Sequence, residues 1–193
     1  MFLHFTEDSY EKALIGLFQS MGYEYAYGPD IERNYQEPYY LNQVWASLPI
    51  VNPSKHQNAI AEAIKKLTNI DSGDLAQKNG IFMDYLQNGI PVAYHDGKEI
   101  RHDIVYLIDY ENTHRNTFQI INQWTYVEKS EKRADLIVFV NGLPLVLIEL
   151  KSPSREETDA SAAYRQIKNY MFEIPSMFTY NAFCVMSDMM CSK

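Results

Sequence analysis

The chain is predicted to fold as a three-layer α/β sandwich, a mixed central sheet flanked by helices, and three observations carry that expectation. An amphipathic helix opens the chain in TEDSYEKALIGLFQSMG, a β-rich region ends in the apolar hairpin RADLIVFVNGLPLVLIELKSP, and a helix and strand follow in AAYRQIKNYMFE and NAFCVMSD. Helices that precede and follow a run of strands bury their apolar stripes best on the two faces of one sheet. The core order is αβββαβ, with a helical and β-containing region inserted after the first helix.

In the first helix Thr6 suits the cap, Glu7 and Asp8 the first turn, and Gly22 the terminator. Tyr10, Ala13, Leu14, Leu17, Phe18 and Met21 form its stripe at helical spacing. A Tyr-rich, Pro-containing connection runs to Trp45, and the tyrosines of YEYAY and EPYY are expected to pack it against the domain. NPSKHQNAIAEAIKKLTNI reads as a second helix with Asn52 as cap and Pro53 at its first position. DLAQKNGIFMDYLQNG reads as a third, weakened by Gly80. From Ile90 the period changes: IPVAY, IRHDIVYLIDY and TFQIINQWTYVE are β-rich segments with partial alternation, divided by HDGKE and ENTHRN. The polar loop SPSREETD separates the hairpin from a helix over about 160–172. Residues 1–193 form one domain, with 30–99 as an insertion of unassigned role.

At 193 residues, 46% hydrophobic and 22% charged, the chain has the balance of a globular protein with a real core. No apolar run approaches the ~20 residues that span a bilayer, and the N-terminus lacks a secretory signal pattern; no membrane association and a cytoplasmic location are expected. Cys184 and Cys191 suit neither a disulfide framework nor a zinc site. A net charge of −8 argues against an autonomous, tight nucleic-acid binder, because Lys and Arg contacts to phosphate supply most non-specific affinity. The ending FCVMSDMMCSK, directly after a core strand, suggests a fragment of something longer.

The hairpin carries the chemistry. Asp135, Glu149 and Lys151 interrupt an apolar run, and burying a carboxylate is costly unless it is paired, ligated or neutralised. Alternation puts Glu149 and Lys151 on one face of their strand. A plain two-residue Asn141-Gly142 turn would place Asp135 opposite Ile148, on the wrong face. An odd-length loop, Val140-Asn141-Gly142, or a bulge restores the parity and is therefore expected. So gathered, two carboxylates and an ammonium suit metal-assisted phosphodiester hydrolysis. The carboxylates of Asp135 and Glu149 and the Leu150 carbonyl would hold Mg²⁺, while Lys151 would orient a water or stabilise developing charge. The competing reading is a solvent-edge Asp135 and a surface Glu149–Lys151 ion pair.

Asp135 followed by Glu149-Leu150-Lys151 resembles the PD-(D/E)xK nuclease motif, with Ala134 in place of the usual proline. More widely, the stretch from IDYENTHRN to LVLIELKSP, together with AAYRQIKNYMFEIPSMFTYNAFCVMSD, resembles the N-terminal nuclease domain of the restriction (R) subunit of type I restriction-modification enzymes. The likeness is strong over 108–188 and looser over the first helix and GYEYAYG; residues 30–99 contribute little to it. The resemblance implies a restriction-endonuclease-like fold and an Mg²⁺-dependent DNA endonuclease with Asp135, Glu149 and Lys151 as its catalytic residues. It also implies that Gln166 and Tyr170 are the family's Gln-x-x-x-Tyr pair, four apart on one helical face. Glu11 resembles the acid that related nucleases bring to the metal from their first helix; exposure to solvent is the alternative, and Glu7 is a weaker candidate.

The chain has no G-x-x-x-x-G-K-[ST] loop, so ATP is implied only for motor domains outside it. Double-stranded DNA and the separate methylation and specificity subunits are the implied partners. Arg155, Arg165 and Lys168 could touch DNA phosphates, against the alternative of a solvated helix face. His4, His56, His95, His102 and His114 lack ligand spacing. The function alternatives are a docking or DNA-binding domain that retains the fold without catalysis, or a nuclease of another helicase-coupled repair system.

Overall fold

The computed structural model describes residues 6–151 and 160–187. The polar loop with Arg155, along with His4 and Cys191, lies outside the described residues. Helix α1 spans Glu7–Ser20, with the Thr6 side chain accepting from the Ser9 N–H and Gly22 in the left-handed region just past its end. Strand β1, Glu24–Tyr27, follows. The inserted region comprises α2 (Leu41–Val51), α3 (Gln57–Thr68), α4 (Leu75–Asn88) and the antiparallel ribbon β2 (Ile90–His95) and β3 (Ile100–Val105). Then come β4 (Phe118–Val127), β5 (Glu131–Val140), β6 (Leu143–Leu150), α5 (Ala160–Glu173), α6 (Pro175–Thr179) and β7 (Phe183–Ser187).

The main sheet has five strands in the order β1-β4-β5-β6-β7, antiparallel in its centre and parallel at both edges. Alternation along β4–β6 divides its side chains between two layers. Ile120, Leu136, Val138, Ile148 and Leu150 pack with Ile15 beneath α1. Ile121, Ile137, Phe139 and Leu147 pack with Ile167 and Tyr170 of α5. The predicted sandwich is the observed one, and Leu107, Val140, Leu143 and Leu145 at the far end of the hairpin join a third core with α2–α4 and the ribbon.

Three local expectations are corrected. YEYAY is not only connection: four of its residues form β1, parallel to β4. The segment after Tyr40 is α2, which carries Pro49 within it. Helix α3 starts at Gln57 under a His56 cap instead of at Pro53, because Asn52 is engaged elsewhere: its amide donates to the Leu48 and Tyr106 carbonyls. The β-rich segments IPVAY and IRHDIV are strands, and they pair with each other in a ribbon separate from the main sheet. Of the tyrosines expected to pack, Tyr39 is buried edge-on against Tyr180, whereas Tyr25 and Tyr27 are exposed.

Candidate active site

The turn between β5 and β6 is the two-residue Asn141-Gly142, with φ 53° and 82°, as a primed hairpin turn requires. The three-residue loop does not form, because the Asn141 side chain is used to fix the turn. It accepts the Thr117 N–H at 2.8 Å and donates to the Leu107 carbonyl and to Asn116, each at 2.8 Å. Parity is restored further along. Val140 pairs with Leu143 and Phe139 with Pro144, but Val138 pairs with Val146, leaving Leu145 as an extra residue on β6. The bulge shifts every later pair by one. Leu136 then opposes Ile148, and the same register sets Asp135 opposite Glu149.

Ile137 and Leu147 face α5, so Asp135 and Glu149, each two residues away on its own strand, face it as well. An Asp135 carboxylate oxygen accepts the Leu150 N–H at 2.8 Å. Glu149 is 1% exposed. One of its oxygens accepts Lys151 Nζ at 2.7 Å and also the Gln166 amide; the other, Oε2, is buried and has no protein partner. Lys151 Nζ also donates to the Leu150 carbonyl at 3.0 Å, and its backbone N–H is held by the Ser187 carbonyl at 2.9 Å. Gln166 donates to the Tyr170 hydroxyl at 2.9 Å, and that hydroxyl donates to the Arg133 carbonyl at 3.3 Å.

Burial, reinforced by the Asp135 charge, pushes the Glu149 carboxyl well above the usual carboxylate range; Lys151 pulls the other way. Burial also raises the Tyr170 hydroxyl to about 12, so it stays a donor. One ammonium faces two acids, and the acid it pairs with, Glu149, keeps a second buried oxygen without a hydrogen-bond partner, so the pair is incompletely compensated. Two carboxylates beside a backbone carbonyl make an all-oxygen donor set, the chemistry preferred by a hard divalent cation such as Mg²⁺.

Glu11 lies elsewhere in the hydrogen-bond network. Its two carboxylate oxygens accept the side-chain amides of Asn122 and Gln123 on β4, at 2.6 and 2.9 Å. Among the described residues no group of three or more Asp, Glu, His or Cys is arranged to hold a metal, so the donor set here is a pair plus backbone. Arg165 and Lys168 occupy the exposed side of α5, with the Lys168 Nζ 5.9 Å from the Tyr164 ring. Asn122 and Gln123 carry a weak sequence signal: two adjacent amides in the middle of a largely apolar strand, IINQW.

A family model described as the type I restriction enzyme R protein N terminus matches residues 4–190. The chain is 34% identical over 193 residues to the type I restriction enzyme HindI endonuclease subunit of Haemophilus influenzae, covering 95% of this chain and 18% of that one. It is 30% identical over 167 residues to the EcoprrI endonuclease subunit of Escherichia coli, covering 77% and 52% respectively. To the SauCOLORF180P endonuclease subunit of Staphylococcus aureus it is 33% identical over 104 residues, covering 54% and 10%. Fold and match together place the chain in the restriction-endonuclease-like class of α/β proteins. Within that class it belongs to the type I restriction enzyme R protein N-terminal family. The chain thus spans under a fifth of the Haemophilus relative's length. Among the described residues no helix is long and apolar enough to cross a membrane.

Proposed function

We propose that this chain is the Mg²⁺-dependent endonuclease domain of a type I restriction subunit, hydrolysing phosphodiester bonds of double-stranded DNA. The observation that carries the reading is a buried Glu149 carboxylate with one oxygen lacking a hydrogen-bond partner, close enough to Asp135 to feel its charge, with Lys151 alongside. The carboxylates of Asp135 and Glu149 and the carbonyl of Leu150 would hold the ion. When bound, it supplies charge stabilisation at the phosphate and a more acidic water.

The chain's own residues do the rest. Lys151 presents a cation where charge grows on the phosphoryl oxygens. Gln166 fixes the rotamer of Glu149, and Tyr170 fixes Gln166. In the hydrolysis one P–O bond forms to water, one P–O ester bond breaks, and the proton lost by the water ends on the departing oxygen. Arg165 and Lys168, on the exposed side of α5, are proposed contacts to DNA phosphates.

With a net charge of −8, the domain depends on other parts of its assembly to hold DNA. ATP-driven motor domains in the same subunit, and methylation and specificity subunits beside it, fill that role in this reading, and the site of action is the cytoplasm. The test is Asp135→Ala or Lys151→Ala in the longer subunit assembled with its partners. DNA cutting is lost while ATP hydrolysis continues. Cutting that survives both substitutions leaves the domain as a docking module instead.

A further inference from the structure

Strand β4 runs against β5 without an inserted residue: Asn122 opposes Leu136 and Trp124 opposes Ala134, which sets Gln123 opposite Asp135. Yet Gln123 has φ 55°, a left-handed conformation that costs a side-chain-bearing residue energy and persists only where its surroundings impose it. In a regular strand Gln123 would follow Ile121 onto the face of α5, beside the meeting point of Asp135 and Glu149. Instead Ile121 and Trp124 both join the α5-side core, while Asn122 and Gln123 both reach Glu11 of α1.

Two neighbours impose the reversal. Gly28 packs so closely on this point that a Cβ there would stand 2.7 Å from the Asn122 carbonyl oxygen and 2.9 Å from that of Gln123. On the other side the Glu11 carboxylate takes both amides, and the Asn122 oxygen accepts the Tyr25 hydroxyl at 3.1 Å. An uncharged side chain is thereby drawn off the one position of β4 directly across from Asp135.

We propose that Gln123 is a positioning residue for the ion-holding pair: its left-handed backbone keeps the space beside Asp135 clear and ties β4 to α1 through Glu11. This rests on the reading of Asp135 and Glu149 as that pair. A side chain at position 123 that returned to the extended conformation would fall on the α5 face and crowd the carboxylates. β-Branched residues, which resist the left-handed region most, are the ones expected to do this.

The test is a calorimetric titration of the 193-residue chain with Mn²⁺, alongside circular dichroism to show that each variant is folded. Gln123→Gly and Gln123→Asn, both compatible with positive φ, keep wild-type Mn²⁺ affinity to within a few-fold. Gln123→Val, folded, loses about 10-fold or more, the scale of supporting-residue effects at metal sites. Equal affinity in the Val variant overturns the proposal, as does a loss in the Gly and Asn variants matching that in Val, since backbone conformation would then not be what matters. No Mn²⁺ uptake by the wild type overturns the metal reading itself, and this proposal falls with it; uptake by the wild type with no difference among variants overturns this proposal alone.

Discussion

Asp135 and Leu150 are joined across the hairpin, the carboxylate of one accepting the backbone N–H of the other at 2.8 Å. That bond fastens the first acid to the strand carrying Glu149 and Lys151. It exists because one extra residue on β6, Leu145, moves the register by a single step. Without it Asp135 would oppose Ile148 and point away from both.

The turn that launches this register is sensitive to a single methyl group. A Cβ on Gly142 would lie 2.6 Å from the Tyr40 carbonyl oxygen and 2.7 Å from the Val44 nitrogen, at φ 82°. Gly142→Ala is expected to cost about 2 kcal/mol through left-handed strain and the clash with α2, read from the urea unfolding midpoint. An unchanged midpoint contradicts the close approach.

Tyr170 combines packing with hydrogen bonding. Tyr170→Phe keeps the ring in the α5-side core and loses the link between Gln166 and the Arg133 carbonyl, at a cost of about 1 kcal/mol. Tyr170→Ala adds a cavity and costs about 3–5 kcal/mol. If the two variants unfold at the same denaturant concentration, the ring is not the buried element described here.

Glu149 gives the metal-free chain a pH dependence of unusual sign. Its folded pKa is raised above the ordinary value of 4.5, chiefly by burial, so the folded state holds the proton more tightly than the unfolded one. The stabilisation is fully present below 4.5 and is lost progressively as pH rises through the elevated folded value. Denaturation in the presence of a chelator should therefore show stability falling across this range, and Glu149→Gln should flatten the fall. Stability that climbs over the same range contradicts the placement of Glu149.

Much of this was legible because the signals were local. Thr6 and Gly22 mark α1 through cap and terminator, and strand parity alone demands a bulge or an odd-length loop in the hairpin. Gln166 and Tyr170 share a face simply because they stand four apart. What escaped was what depends on remote neighbours. Glu24–Tyr27 is a strand only because β4 lies beside it, and IPVAY pairs with IRHDIV where the inserted helices and the hairpin's far end give that ribbon a core. The Leu145 bulge could be required but not located, and nothing in a glutamine announces a positive φ.

Two acids brought into register by a bulge are proposed to hold a divalent cation. Calorimetric titration of the chain with Mg²⁺, wild type against Asp135→Ala, tests it most directly. The wild type is expected to take up the ion, and the folded variant to take up none. Uptake unaffected by loss of Asp135, or none by the wild type, would contradict it.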